Sequence, residues 1–421
     1  MNFGGRISGI GCQILKYGTI KFAMDKHDTR KKLNIAIVCD AVDYINGASV
    51  SARRFAKLLA ARGHKVIFIA SKTPFASGNV DGIKTYRFRS ILVPKAEGKF
   101  YLTFPTIKEA KKVFRDEEID IIHIIIPFEA GFSCMEAARL LGIKVVTASH
   151  TQAENVFLHI PKILGRDALS NIFTRYLFWM YQSSDALIYP TEFAREKSPK
   201  MDAKMKYEVI SNGVDRSLFK PTDPASFFKE YGLSRDNTYI IFVGRLHPEK
   251  SIETLIKAVP EIIKKQLMVR VLIVGEGHQS EELEALVKKM HLKEKILFLG
   301  KVSGENLVLA YNAADIFCMP SLAELESMVT LEAMACGDPV LIADAPQSAA
   351  KYFVDKNGML FKPEDPRDLA RQALAMLSDG RKLEAMGRQS LENSARYDIN
   401  ESASRLENLY YEVLAKNHNK V

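Results

Sequence analysis

One pattern, met twice along this chain, constrains its fold most: a short apolar run rich in β-branched residues, a loop, then a stretch with helical spacing. In the first half, Asn34-Ile-Ala-Ile-Val-Cys39 leads through a loop at Asn46-Gly47 into a helical pattern over 49–62. In the second half, Tyr239-Ile-Ile-Phe-Val243 leads through Gly244-Arg-Leu-His-Pro-Glu-Lys250 into a helical pattern over 251–264. Runs apolar on both faces belong inside a parallel sheet covered by helices. The pattern predicts further strands over 66–70, 119–126, 144–148 and 185–190, with helices over 107–118 and 131–141. After a linker near Ser211-Asn-Gly-Val-Asp215 it predicts strands over 269–274, 296–299, 315–319 and 339–343, with helices over 281–290, 305–313 and 331–335. Alternation of this kind makes doubly wound α/β sheets, and 421 residues exceed one ordinary core. Two Rossmann-like domains facing across a cleft are therefore expected, with ligands beyond the carboxyl ends of their strands.

Composition removes the alternatives. A chain that is 47% hydrophobic and 26% charged, with 24 Gly and 16 Pro, is neither disordered nor collagen-like. No apolar run approaches the ~18 residues that span a bilayer. The five cysteines, Cys12, Cys39, Cys134, Cys318 and Cys336, form no C-x-x-C pair, so a reducing cytoplasm and no structural zinc are expected. Charge is uneven: residues 1–206 hold 32 Lys+Arg against 19 Asp+Glu, and residues 207–421 hold 27 against 31. The basic half favours a polyanion, either nucleic acid or an anionic membrane surface, and no aromatic-interleaved basic repeat supports nucleic acid. Residues 1–32 carry seven basic residues against two acidic ones without a continuous apolar segment, so they read as a basic extension and not a secretory signal, with Met24 an alternative start.

The familiar nucleotide loops are missing. The chain has no G-x-x-x-x-G-K-[ST], and Gly275-Glu-Gly277 lacks the third glycine of a dinucleotide fingerprint. Neither H-E-x-x-H nor G-x-S-x-G occurs. What remains is Arg245 and Lys250 between a strand and a helix, two cations suited to a diphosphate whose charge grows as it leaves an anomeric carbon. In Pro320-Ser-Leu-Ala-Glu-Leu-Glu-Ser-Met-Val-Thr-Leu-Glu-Ala-Met-Ala-Cys-Gly337, seven residues separate Glu324 from Glu332. Carboxylates accept hydrogen bonds from vicinal hydroxyls, so one can read a sugar and the other a ribose.

The Gly244-Arg-Leu to Glu249-Lys250 loop, the Gly275-Glu-Gly277 turn, the E-x7-E helix and the Ser211-to-Asp215 linker together resemble the retaining GT-B glycosyltransferases of family four, over residues 33–415. Within that family the chain is similar to the lipid α-glycosyltransferases, the group acting on cholesterol, diacylglycerol and ceramide. The residues that carry this are Asn46-Gly-Ala-Ser49 with Arg53-Arg-Phe55, Ser149-His-Thr-Gln-Ala-Glu-Asn155, Glu326-Ser327 with Leu331-Glu-Ala333, and Ala345-Pro-Gln-Ser-Ala-Ala350. The resemblance implies an acceptor-binding domain over 33–206 and a nucleotide-sugar-binding domain over 207–421, whose final helix packs back on the first.

It also implies roles. Arg245 and Lys250 hold the diphosphate, Glu332 the ribose and Glu324 the sugar hydroxyls. Backbone around Glu326, Ser327 and Met328 completes the sugar pocket, Glu276 belongs to the donor site, and Val302 lies by the base. Gly47 lets the first loop approach the phosphates, and His150 sits against the transferred sugar without acting as a general base. Ala48, and Glu326-Ser327 where relatives often have Phe-Gly, depart from the family and bear on which sugar is carried. The implied reaction is a same-face displacement moving hexose, glucose or galactose, from a UDP-sugar to a lipid hydroxyl. The UDP-sugar is a substrate, and neither cofactor nor metal is expected. The partners are the UDP-hexose, the lipid and an anionic membrane surface, with the enzyme peripheral on the inner face of the cell membrane. Nine basic against two acidic residues over 84–115, and the apolar residues Leu169, Ile172, Phe173, Tyr176 and Met180 with Phe178 and Trp179, mark the acceptor side. A soluble or polysaccharide acceptor, and a non-catalytic sugar-nucleotide binder, are the competing readings.

Overall fold

Strand β1 (Asn34–Val38) is buried on both faces because alternate side chains enter different cores. Ile35 and Ile37 pack with Phe55, Ala56 and Leu59 of helix α1 (Gly47–Ala61), while Ala36 and Val38 pack with Val113 and Phe114 of α2 (Ile107–Asp116) and with Cys134 and Met135 of α3 (Glu129–Leu141). A strand covered on both faces must be apolar throughout, as its sequence is. The computed structural model describes residues 30–44, 46–76, 78–93, 100–150 and 166–415. The part of the basic extension at 1–29, and positions 151–155 of the 149–155 motif, lie outside the described residues.

The remaining strands of this parallel sheet are β2 (Lys65–Ser71), β3 (Lys84–Phe88), β4 (Ile121–Ile124), β5 (Lys144–Ala148), β6 (Ala186–Tyr189) and β7 (Tyr207–Val209). Their order is β3-β2-β1-β4-β5-β6-β7, so the chain reverses direction of travel between β1 and β4. A short antiparallel pair, Ser90–Leu92 with Tyr101–Thr103, follows β3, and α4 (Arg166–Gln182) precedes β6. The second sheet repeats the plan with β8 (Thr238–Val243), β9 (Val269–Val274), β10 (Ile296–Gly300), β11 (Ile316–Met319), β12 (Val340–Ala343) and β13 (Gly358–Phe361), in the order β10-β9-β8-β11-β12-β13. Its helices include α5 (Ile252–Lys265), α6 (Ser280–Lys289), α7 (Glu305–Asn312), α8 (Met328–Cys336), α9 (Pro366–Leu377) and α10 (Gly380–Ser394). Both sheets and their helices belong to one compact unit.

Two details move the expected boundary. Tyr207–Val209 pairs with β6 and is the edge strand of the first sheet, so the crossover lies beyond it and not at 206/207. The last helix, α11 (Ile399–Ala415), inserts Leu406, Leu409, Tyr410 and Val413 into the first domain's core. The outgoing and returning chains run side by side, with Val214 N–H donating to Tyr397 O at 2.8 Å and Ile399 N–H to Val214 O at 3.1 Å. Gly213 has φ +70°, and a Cβ there would lie 2.7 Å from Ile399 Cα, so only glycine fits this double crossing.

Candidate active site

The two glycines of Gly275-Glu-Gly277 serve packing. A Cβ on Gly275 would lie 1.8 Å from Gly244 O, and one on Gly277 2.3 Å from Leu246 O. Bare backbone here lets the loops after β8 and β9 form a ladder, Gly244 N–H to Val274 O and Leu246 N–H to Glu276 O, both at 3.0 Å. That ladder fixes the Arg245-to-Lys250 loop at the carboxyl edge of the sheet. Glu276 is exposed on the same edge, and Val302 is half-buried in the turn between β10 and α7.

Each predicted donor cation is matched by a carboxylate. Lys250 Nζ lies 2.6 Å from Glu324 Oε1, and both side chains are largely buried, 14% and 11% exposed. Arg245 Nη2 lies 3.2 Å from Glu249 Oε1, and Glu249 also takes a hydrogen bond from His247. Burial works against the Glu249 charge, but His247 and the Lys250 ammonium hold its pKa down to about 2. The cradle is therefore a charge-balanced lattice and not a bare positive patch.

Glu332, on α8, is engaged from both domains. Its Oε1 lies 2.7 Å from Arg54 Nη2 of α1, and its Oε2 accepts from the Tyr311 hydroxyl at 3.2 Å. Burial raises its pKa against the pull of Arg54. Gly47 opens α1 opposite the start of α8, since a Cβ on it would stand 3.9 Å from Met328 Sδ. Asn46 caps α1, accepting from Ser49 N–H at 2.9 Å, so the first loop is held at this meeting point.

Glu326 is placed differently from its neighbours. One carboxylate oxygen accepts from Ser211 Oγ at 2.6 Å and the other from Asn212 N–H at 2.9 Å, both in the crossover. Its side chain thus holds the hinge, leaving any sugar contact to its backbone. Burial pushes its pKa up to about 7. Ser327 is buried and accepts from Thr330 Oγ1 at 2.7 Å, which fixes the first turn of α8.

His150 follows β5 at the carboxyl edge of the first sheet. Burial lowers its pKa to about 4, and burial with His150 nearby lowers that of His123 to about 3. A neutral imidazole at pH 7 offers a hydrogen bond without a charge and is a weak proton acceptor. Arg54, Tyr311 and the Ser211-Asn212 pair were not among the predicted site residues. Arg54 was within reach of the sequence, because Gly47, Ser51 and Arg54 fall at i, i+4 and i+7 on one helix face.

The basic run over 84–115 is partly neutralised. Arg87 pairs with Asp43 at 2.7 Å with both side chains mostly buried, and Lys84 and Lys65 converge on Glu117. Arg89, Lys108, Lys112 and Arg115 remain exposed. Of the apolar residues on α4, Leu177 and Met180 are core, Phe173 and Tyr176 are half-buried, and Leu169, Ile172, Phe178 and Trp179 are exposed. An aromatic seam crosses this domain: Tyr101, Phe75, Tyr44, Phe100, Phe128, Phe173, Tyr176, Trp179 and Phe132 are each in contact with the next, with centroid spacings of 5.5 to 6.4 Å. At its ends, Ile91 and Leu92 on one side and Ile172 and Trp179 on the other face outward.

Two doubly wound domains joined by a double crossing, with an E-x7-E helix facing the first helix of the other domain, define a GT-B glycosyltransferase. The chain belongs to glycosyltransferase family four: residues 45–218 match the family described as Glycosyltransferase Family 4, and residues 223–392 match Glycosyl transferases group 1. It is 26% identical to N-acetyl-alpha-D-glucosaminyl L-malate synthase of Bacillus anthracis over 92% of this chain and 99% of that protein. It is 25% identical to alpha-monoglucosyldiacylglycerol synthase of Streptococcus pneumoniae over 70% and 68% of the two chains. Among solved structures, sucrose-phosphate synthase from Thermosynechococcus elongatus superposes with a TM-score of 0.76 at 21% identity, covering 91% of this chain and all of that one. HepE from Anabaena, in complex with UDP-glucose, gives 0.72 at 20% identity, covering 91% of this chain and all of that one.

Proposed function

We propose that this glycosyltransferase moves a hexose, glucose before galactose, from a UDP-sugar to the hydroxyl of a membrane lipid, with retention at the anomeric carbon and without a metal ion. The observation that carries the acceptor assignment is the aromatic seam of the first domain, whose ends present exposed Ile91, Leu92, Ile172 and Trp179 beside exposed Arg89 and Arg175. Outward apolar side chains flanked by exposed cations suit an anionic bilayer. The relative that acts as a monoglucosyldiacylglycerol synthase supports the same acceptor class, and the neighbour holding UDP-glucose supports the donor.

In this reading Lys250 and Arg245 turn from their carboxylates to the leaving diphosphate, Glu324 is released to the sugar hydroxyls, and Glu332 holds the ribose. The neutral His150 donates or accepts a hydrogen bond at the sugar. The departing phosphate oxygen takes the acceptor proton on the face it leaves. A soluble acid as acceptor is the second reading, favoured by the malate-glycosylating relative that matches over nearly its whole length. Purified protein with a panel of UDP- and GDP-sugars, assayed against diacylglycerol, ceramide and sterol in mixed micelles and against L-malate in solution, tests both. Transfer to malate alone would refute the lipid assignment, and product anomericity by NMR would test retention.

A further inference from the structure

We propose that Arg54 is a ribose-reading residue, so that the nucleotide's sugar is gripped by both domains at once. The proposal rests on the reading of Glu332 as the ribose carboxylate and adds a partner from the opposite domain.

Helix α1 turns one face to the second domain and the crossover. Gly47 stands against Met328, Ser51 Oγ donates to Asn212 Oδ1 at 2.6 Å, and Arg54 Nη2 reaches Glu332 Oε1 at 2.7 Å. The guanidinium also lies over the Phe219 ring, 5.8 Å from its centroid. Glu332 is 5% exposed, and each of its oxygens accepts one hydrogen bond, from Arg54 or from Tyr311. A carboxylate oxygen has two lone pairs, so one acceptor position remains on each, the number a vicinal diol requires.

The second observation is on Arg54 itself. Its Nη1 is buried and has no hydrogen-bond partner among the described residues. A buried guanidinium N–H left without an acceptor is costly, and a ribose hydroxyl oxygen supplies one. A hydroxyl that donates to Glu332 and accepts from Arg54 satisfies both groups together. Lysine could not do the same, because the planar guanidinium presents Nη1 and Nη2 side by side to two different acceptors.

The test is calorimetry with UDP, 2′-deoxy-UDP and 3′-deoxy-UDP on wild type, Arg54→Gln, Arg54→Lys and Glu332→Gln. Wild type should prefer UDP over at least one deoxy analogue by about tenfold or more, the range for a hydrogen bond to a charged group. Both Arg54 variants should lose much of that preference by weakening UDP more than the deoxy analogue. Arg54→Lys keeps the charge beside Glu332, so it answers even if Arg54→Gln is poorly folded. If Arg54 only ties the domains together, its variants will weaken UDP and the deoxy analogues equally and the ratio will stand. That result, with the ratio still lost in Glu332→Gln, overturns the Arg54 proposal alone. A wild type that does not distinguish UDP from either analogue overturns the ribose reading of Glu332 and this proposal with it.

Discussion

Lys250 and Glu324 form an ion pair, Nζ to Oε1 at 2.6 Å, between two loops at the carboxyl edge of the second sheet. Each is the other's counter-ion, so on the proposed reading a donor exchanges this pair for its own diphosphate and hydroxyls. Removing one partner leaves the other buried without compensation. Lys250→Ala should lower kcat/KM by roughly 2–4 kcal/mol of transition-state stabilisation, as for loss of one preorganised oxyanion donor. The Lys250→Ala/Glu324→Gln double variant should lose less stability than the two single losses summed. Thermal melts and steady-state kinetics on the four proteins close the cycle, and strict additivity would argue against the exchange.

Glu332 and Glu324 should separate by ligand. Glu332→Gln should weaken UDP itself, since the ribose belongs to the nucleotide. Glu324→Gln frees Lys250 for the diphosphate, so it should not weaken UDP binding, while it should lower transfer. Titration with UDP and with UDP-glucose distinguishes them, and equal loss of UDP affinity in both would contradict the division.

Stability should peak in mild acid. Burial raises Asp40 and Asp315 to about 6 and Glu326 to about 7, all above their unfolded values. The stability these groups contribute is present below the unfolded pKa and is lost as pH rises through 6 to 7. Glu117 and Glu249, held near 2, act in the opposite sense, and their contribution is lost as pH falls below about 4.5. Buried His123 and His150, lowered to about 3 and 4, also lose their contribution as pH falls below about 6.5, but above pH 4.5 the three raised carboxyls outweigh them, so the melting temperature should be highest near pH 4.5 and decline toward pH 7. Glu326→Gln should reduce the decline toward pH 8, where the ionised carboxyl costs on the order of 3 kcal/mol. A melting temperature that climbs steadily to pH 8 would contradict these shifts.

What the sequence made legible and what it did not divide along a physical line. The doubly wound plan was readable because strands such as Asn34–Val38 are apolar on both faces; Glu324 and Glu332 stood out by their spacing across one loop and helix and Lys250 by its place between a strand and a helix, but the pairing of Lys250 with Glu324, 74 positions apart, did not. Strand Lys84–Phe88 was missed because it is an edge strand whose Lys84 and Tyr86 are drawn to Glu117, a partner the local pattern does not contain. Tyr207–Val209 was assigned to the wrong side of the crossover because three half-exposed residues carry no periodic signal. The place of Arg54 on the Gly47-Ser51 face of its helix was legible, but its contact was not. Its partner Glu332 is 278 positions away, and only the docking of α1 against α8 brings them together.

The acceptor side gives the last prediction. The basic run over 84–115 is not uniformly available, since Arg87 is held by Asp43 inside the first domain and its reversal would disturb folding more than docking. Exposed Arg89 and Lys112, with Ile172 and Trp179 at the end of the aromatic seam, are the better probes. The protein should sediment with vesicles containing anionic lipid and be released as salt shortens the Debye length from ~10 Å at 0.1 M to ~3 Å at 1 M. Arg89→Glu with Lys112→Glu should weaken that binding and its salt dependence, each basic residue contributing on the order of 1 kcal/mol near the surface. Ile172→Ser with Trp179→Ala should instead weaken binding that persists at high salt, because apolar insertion is not screened. Both pairs should lower glycosylation of lipid in vesicles while leaving hydrolysis of UDP-sugar in solution nearly unchanged, since only the first reaction requires docking. Equal sedimentation of wild type and all variants with neutral and anionic vesicles would leave the soluble-acceptor reading as the better account of the first domain.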